Sequence, residues 1–404
     1  MSIDGAAALI EGWAIARPAG CPDPLAMAGE ILAGFGAAVS ERETSRSDTL
    51  EVIAPSGRRV EVRLAGWIGE GVLACARPRG RVLGAYAALR LAGAAVFAGG
   101  RGIDTCLGAA ELACELTAPG RMRGGSRPEL VRCRDGWVVV RWRDAHERAL
   151  FESLIHDARP GDRDEIVATA RLARLLVAPV EPPPSTPAPV AQLGTGSLGG
   201  ESATVRRRRP RVVDWSVLWA GPWAAAQLRR SGSAVERVEH PRRRDGLLTF
   251  PDGRRWWRAL NGDKRISLLD GRDPRGRRQL EAAIGTADIL LTSMTPRALA
   301  SLGFDEGWRL TRAPHLLHLE LVAFEDPWAD APGLGEHAAA RAGLLWRDGG
   351  PPGELVPWAD PLLGASALAI SRIWLASRSR PGGRVRLSLE RAASLAFAAT
   401  PASV

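Results

Sequence analysis

From Arg211 onward the chain alternates short apolar runs with amphipathic ones, and this alternation constrains the fold more than any other feature of the sequence. Strand-like runs fall at 211–218, 234–239, 266–270, 287–291, 315–322 and 384–389. Helical patterns fall at 222–231, 274–286, 296–302 and 361–377, with another helix before 315 and a closing helix after 389. A strand followed by a helix and a second strand brings the two strands parallel, and such units assemble into a mostly parallel sheet with helices on both faces. The expected fold class is α/β, with a Rossmann-like, mostly parallel sheet domain in the C-terminal half. Ligands of such sheets bind at the carboxyl ends of the strands. Those ends are Val217 to Ala220, Glu239-His240, Leu291 to Thr295 and Val322 to Glu325.

Upstream the pattern is different. Residues 1–177 read as an α+β domain, with hairpins about Pro55-Ser56-Gly57 and Asp135-Gly136 and helical patterns near 24–40, 82–98, 104–117, 144–156 and 163–175. Residues 178–210 are rich in proline, then in glycine and serine, and end on Arg206 to Arg209. Proline continues neither a helix nor a central strand, so this stretch reads as a linker between the domains 1–177 and 211–404. Gly194, Gly196 and Gly199 have the spacing of a dinucleotide fingerprint, but no strand precedes them and no amphipathic helix follows, so the match is accidental.

Composition narrows the function classes. The chain has 404 residues, 46% of them apolar and 25% charged, a globular profile long enough for two cores. Its net charge of +9 comes almost wholly from arginine, with Lys264 the one lysine. A GC-rich coding bias accounts for that, and no nucleic-acid partner is expected. No apolar run reaches the roughly 18–20 residues a membrane helix needs, and residues 1–12 lack a secretory pattern; a cytoplasmic location is expected. The five cysteines, Cys21, Cys75, Cys106, Cys114 and Cys133, are odd in number and form no CxxC pair, so neither a disulfide framework nor a zinc site is indicated. His146 and His156 read as surface positions, and His315 and His318 face opposite sides of a strand and cannot share a metal.

Three segments near the strand ends suit an anion. Trp219-Ala220-Gly221-Pro222 runs a strand into a helix start, Asn261 to Arg265 places two cations before a strand, and Thr292 to Arg297 combines hydroxyls, a helix start and an arginine. Together they suggest a phosphorylated ligand. Asp360 precedes Pro361 and an apolar helix, which makes it an N-cap facing free backbone N–H groups. Such an aspartate is either a cap alone or an ionised, oriented carboxylate that serves as nucleophile or base.

Four segments from Arg211 onward together carry a family resemblance. VVDWSVLWAGPWAAAQLRRSGSAVERVE (212–239), LNGDKRISLLDGRDPRGRRQL (260–280), ADILLTSMTPRALASLGF (287–304) and PWADPLLGASALAISRIWLASRSRPGGRVRLSLERAA (357–393) resemble, in order, motifs of the class III CoA-transferases, the family that also holds the alpha-methylacyl-CoA racemases. The resemblance implies that Asp360 is the catalytic carboxylate, helped by Glu336. It implies that Leu218, Trp219 and Ala220 line the CoA pocket through their backbone, that His240 and Arg242 meet the nucleotide, and that Lys264, Arg265, Ser293, Met294, Thr295 and Arg297 meet CoA phosphates. Coenzyme A and its acyl thioesters are then substrates, with no permanently bound cofactor and no metal, and a homodimer is implied. The implied reaction moves CoA from an acyl-CoA to a carboxylic acid through an aspartyl anhydride and an aspartyl-CoA thioester. An acyl-CoA racemase of the same fold, or a CoA-binding protein with impaired turnover, is the alternative; the histidine of the racemase branch falls on Leu334 here, with His337 out of register. Two departures stand out. The loop that usually reads Glu-Asn-Phe reads Thr292-Ser293-Met294, and LVRCRDGWVVVRW with its helices, which resembles the part normally after the catalytic helix, precedes the sheet domain. The layout resembles a rearranged, actinobacterial-like branch.

Overall fold

The computed structural model describes residues 3–18, 23–42, 49–63, 79–101, 105–106, 127–157, 162–186, 189–190, 192–202, 209–250, 253–348, 352–353 and 355–398. The helix expected over 104–117 lies outside them beyond residue 106, as do Cys21, Cys75, Cys114 and Arg206 to Arg208; the side chains of Cys106 and His156 are likewise outside. Cys133 is buried and unpaired, and His146 is exposed. No helix among the described residues is long and apolar enough to cross a membrane.

The N-terminal region builds two small sheets. Strands β1 (Ile3–Asp4), β2 (Ala14–Pro18), β3 (Ala38–Arg42), β4 (Thr49–Ile53), β5 (Arg59–Arg63) and β6 (Thr105–Cys106) come with helices α1 (Asp23–Gly34) and α2 (Arg79–Arg101). All but β1 form a five-stranded sheet in the order β3-β2-β4-β5-β6. Strands β7 (Glu129–Arg132), β8 (Trp137–Arg141) and β9 (Leu176–Pro179) form an antiparallel three-stranded sheet, with α3 (Ala145–Asp157) and α4 (Arg163–Leu172) between β8 and β9. Both expected hairpins are present, β4–β5 and β7–β8. The helix expected over 24–40 ends earlier, because its last residues, Ala38 to Ser40, pair with β2 as strand β3.

The C-terminal half follows as β11 (Arg211–Trp215), α5 (Ala220–Arg230), β12 (Ala234–Glu239), α6 (Gly253–Asn261), β13 (Arg265–Leu268), α7 (Pro274–Gly285), β14 (Ile289–Thr292), α8 (Pro296–Ser301), α9 (Glu306–Arg312), β15 (Leu317–Val322), α10 (Gly335–Arg341), α11 (Ala359–Ala376), β16 (Pro381–Ser388) and α12 (Leu389–Ala398). Strands β11 to β16 are mutually parallel and lie in the order β13-β12-β11-β14-β15-β16. Counted from the first, that is the 3-2-1-4-5-6 order of a Rossmann-like sheet, with its topological switch between β11 and β14. One face packs against α7, α8 and α9 through Val213, Leu280, Ile284, Leu290, Leu299 and Phe304. The other face packs on α11, whose sequence is apolar around its whole circumference and is buried accordingly: Leu362, Leu363, Leu368, Ile370, Ile373 and Trp374 are all inside. Each such side chain contributes roughly 1.5–3 kcal/mol by leaving water.

Two boundary expectations need correction. The stretch 178–210 is not wholly linker: β10 (Thr195–Ser202) joins the large sheet, antiparallel to β16 and parallel to β1, making eight strands. The glycines set aside as an accidental fingerprint are what admit it. Gly196 has φ of 145°, and a Cβ there would collide with the Arg384 carbonyl, a conformation and an approach that only glycine tolerates. The halves also share a core, since α2 lies along α11 and the same buried cluster runs from Ile3 to Phe397.

Gly196→Ala is expected to cost about 2 kcal/mol or more, read as a lowered midpoint of urea unfolding. A midpoint within error of wild type would remove β10 from the sheet's essential structure.

Candidate active site

A cleft of about 720 Å³ opens at the switch point. Val217, Leu218, Ala220, Ser293 and Thr295 line its sheet-edge side, Val322 and Ala323 come from the end of β15, and Asp360 stands at the start of α11. The switch is closed by a direct bond, in which the Val217 N–H donates to Ser293 Oγ at 2.8 Å. Leu218 adopts φ of 64°, a left-handed conformation unusual for a branched residue. It is held there because its N–H donates to both Asp245 carboxylate oxygens, at 3.1 and 3.2 Å.

Asp245 belongs to a buried charge network beneath this turn. The Arg237 guanidinium, fully buried, pairs with Asp214 at 3.3 Å, with Glu239 at 3.3 Å and with Asp245, and it donates to the Ser216 carbonyl. Lys264 completes the network. Its ammonium donates to Asp214 Oδ2 at 2.8 Å, the Pro222 carbonyl at 2.7 Å and Asn261 Oδ1 at 2.8 Å. Burial raises the Asp214 carboxyl, but Lys264 and Arg237 outweigh that and hold it at about 2. Burial pulls Lys264 down to about 8 against the attraction of Asp214. Both are charged at neutral pH.

Lys264 therefore does not present itself to a phosphate: all three of its N–H groups are taken inside the protein. Arg265 opens β13 and is exposed, at the amino end of the strand and away from the cleft. A segment just before a parallel strand lies at the opposite edge from one just after it, so 261–265 does not join the other two anion segments at one edge of the sheet. Trp219 turns its ring into the core, stacked on Trp223 at 5.9 Å between centroids. Met294 packs on the far face of the sheet, and Thr295 caps α8, accepting from the Ala298 N–H at 3.3 Å. The Arg297 backbone N–H donates to Asp330 Oδ1 at 3.0 Å, and the residue is exposed outside the cleft lining. His240 and Arg242 lie at the end of β12, also beyond that lining. His240 Nε2 is 3.2 Å from Asp270 Oδ2 while its Nδ1 accepts the Arg242 and Arg243 N–H groups, and Arg242 reaches the same aspartate at 3.4 Å. His318 is buried and bonded to Thr292 Oγ1 at 2.8 Å, and burial drives it down to about 3. His315 sits before the strand and meets the Ala287 carbonyl. Among the described residues no cluster of metal-ligating side chains occurs.

Asp360 departs from expectation in two ways. The helix begins two residues earlier, at Ala359 with Trp358 at the cap position, so Asp360 lies in the first turn and is not the cap. Proline is tolerated anywhere in a first turn, because its missing N–H has no intrahelical acceptor there, so an Asp-Pro pair does not fix the boundary. Nor is the carboxyl an ordinary ionised one. Burial first, then the charge of Glu336, push it up to about 7, with Arg141 opposing. Glu336 is buried in the first turn of α10, and Gly335 lets that turn lie against the aspartate: a Cβ at 335 would collide with Asp360 Oδ2.

The partner of Glu336 went unnoticed in the sequence. Arg141, the last residue of β8, places Nε 2.8 Å from Glu336 Oε1, and Arg141, Trp142 and Arg143 all line the cleft. Two arginines flanking a tryptophan at a strand end was the available signal. His337 turns away from the cleft. It accepts the Leu334 N–H at Nδ1, 3.3 Å away, and its Nε2 lies 3.1 Å from the Leu176 carbonyl; burial lowers its pKa. Leu334 itself lines the cleft.

Residues 210–400 match the model of CoA-transferase family III. The chain is 29% identical over 165 residues to the β subunit of succinyl-CoA–L-malate CoA-transferase from Chloroflexus aurantiacus, covering 39% of this chain and 40% of that protein. It is 26% identical over 157 residues to a succinate–glutarate CoA-transferase from Agrobacterium fabrum, covering 36% and 39%. The chain thus spans about two fifths of the length of these curated relatives. Among solved structures, a CAIB/BAIF family protein from Brucella suis aligns at 22% identity over 46% of this chain and 53% of that one, with a TM-score of 0.42.

Lys264→Met leaves Asp214 short of a buried partner and is expected to cost about 3–5 kcal/mol, whereas exposed Arg265→Met stays within about 0.5 kcal/mol of wild type; paired urea titrations check the contrast. Asp360 gives a second expectation. Its folded pKa lies above its ordinary 3.8, so the folded state holds the proton more tightly and loses that advantage as pH rises toward 7. Asp360→Asn should therefore gain thermal stability over wild type progressively between pH 4 and 8. A difference that stays flat across that range contradicts the raised pKa.

Proposed function

Residues 210–400 belong to CoA-transferase family III, and from that premise we propose that the protein moves CoA from an acyl-CoA thioester to a carboxylic acid, with Asp360 as the covalent carrier. The observation that supports this most directly is a carboxylate at a helix start, walled by a cleft that ends at the switch point of the parallel sheet. The ionised Asp360 attacks the thioester carbonyl carbon, the C–S bond breaks and CoA thiolate leaves, giving a mixed anhydride. The thiolate then attacks the aspartyl carbonyl and releases the donor as its carboxylate, leaving an aspartyl-CoA thioester. An acceptor carboxylate displaces the thiolate again, and the thiolate attacks the acceptor carbonyl to give the new acyl-CoA and free Asp360. Glu336 beside the reacting group favours loss of negative charge from Asp360 as it becomes acylated.

In this reading the pantetheine arm follows the Leu218 to Ala220 turn and the Ser293 to Thr295 loop, and the nucleotide extends toward His240 and Arg242. Binding energy from those remote parts helps hold the thioester against a nucleophile that is half-protonated near pH 7. The racemase alternative needs a second base at the substrate's α-carbon. Leu334 supplies none, and the His337 ring is committed to the Leu334 and Leu176 backbone. The homodimer is part of the same proposal.

Incubation with acyl-CoA thioesters should add the mass of CoA, less water, to the peptide holding Asp360 once the donor acid has left, and Asp360→Asn should abolish it. The loading rate should climb with pH through about 7 and level off above it, because the carboxylate is the nucleophile. Glu336→Gln, which removes the neighbouring negative charge, should shift that profile to lower pH. Equal loading by wild type and Asp360→Asn sinks the assignment.

A further inference from the structure

We propose that Arg141 and Arg143 form the subsite for the acceptor acid, so that the N-terminal hairpin selects a short dicarboxylate by holding one carboxylate at each guanidinium. The inference rests on the transferase reading above. Among the described residues lining the cleft, the two arginines are the only cations and Asp360 is the only acid. Arg141 ends β8 and Arg143 follows two positions later, in the bend that leads into α3, so both come from one short stretch of backbone at the cleft. The sheet-edge side of the cleft offers hydroxyls and backbone groups instead, at Thr249, Ser293 and Thr295.

Charge makes a cation necessary on the acceptor side. An incoming carboxylate that attacks an acylated Asp360 meets the field of Glu336, buried one residue from the glycine that abuts the aspartate. Arg141 answers that field. A guanidinium carries five N–H donors; Arg141 Nε lies 2.8 Å from Glu336 Oε1 as an ion pair without hydrogen-bond geometry, and the side chain remains 18% exposed in the cleft. Its remaining N–H groups suit the reacting carboxylate. Arg143 is 58% exposed; it pairs with Glu147 and donates from Nη2 to the Arg174 carbonyl at 3.1 Å, which orients the guanidinium without enclosing it. It is placed to take the distal carboxylate in a charge-assisted pair.

The test separates loading from discharge. Wild type and Arg143→Gln are loaded with a simple acyl-CoA, the Asp360 adduct is followed by mass, and discharge is then timed with succinate against butyrate and glutarate against pentanoate. Wild type should discharge faster to each dicarboxylate than to its monocarboxylate partner. Arg143→Gln should load at the wild-type rate yet lose about tenfold in discharge to the dicarboxylates, the size of one charge-assisted pair, with no change for the monocarboxylates. Arg143→Lys should recover part of the loss. Wild type that does not distinguish the pairs overturns the proposal, and so does a variant that discharges normally. A variant whose loading falls instead assigns Arg143 to CoA. Absence of any adduct on wild type removes the transferase reading and this inference with it.

Discussion

The site depends on one buried guanidinium. Arg237 lies in β12 with no exposure to water, and three carboxylates from three elements converge on it: Asp214 in β11, Glu239 at the end of its own strand and Asp245 in the loop beyond. Removing that many charges from water is costly unless each is paired and hydrogen-bonded. Here Lys264, Trp257, Arg244, Ser216 and the Leu218 and Leu247 N–H groups take up the remaining lone pairs. The consequence is positional. Asp245 fixes Leu218 in a left-handed conformation, and Leu218 forms the bend that lets the chain leave β11 and enter α5 along the cleft floor. A purely apolar core would pack as well, but it would not set the direction of the Leu218 and Leu247 backbone N–H groups beside the cleft.

The aspartate at the other wall is governed by the opposite use of charge. Asp214 is surrounded by cations and stays ionised well below neutrality, whereas Asp360 has burial and an acid neighbour, with one arginine in partial compensation. Two aspartates in one half of the chain are thus driven in opposite directions from the ordinary carboxylate value by environment alone. Under the proposed function that arrangement would serve an acyl carrier: a carboxylate destabilised when free gains more on acylation, which lowers the energy of the covalent state relative to the resting one.

Much of this was legible in the sequence, for identifiable reasons. Strands β11 to β16 announce themselves because both sheet faces are covered, which favours short, mostly apolar runs such as ILLT, and LHLELV with only His318 and Glu320 polar. Asp360 and the Trp219–Pro222 turn were legible because a helix start constrains residue types locally. Lys264 was misread because a lone lysine before a strand looks identical whether its ammonium faces solvent or a buried aspartate fifty residues earlier. The true helix start at Ala359 and the raised pKa of Asp360 depend on Gly335 and Glu336, which the chain brings alongside only after folding. β10 was missed because proline and glycine argue against a strand unless the neighbouring backbone approaches too closely for any side chain, as Arg384 does at Gly196.

The hairpin β7–β8 shows why connectivity and site composition separate. It stands before the sheet domain in the chain, while the segment it resembles ordinarily follows the catalytic helix, yet it packs beside α10 and delivers Arg141 to Glu336. What a folded site requires is contact, and contact is indifferent to the order in which the elements are threaded, provided the linking segments can span the gaps. Here the span is made by the prolines after β9 and by β10, whose place beside β16 anchors the connection to the sheet it must reach. The N-terminal half is therefore held in register with the cleft by main-chain pairing on one side and by the α2–α11 contact on the other. A guanidinium carried on an element fixed at both ends can set the charge of a carboxylate on another from a fixed distance.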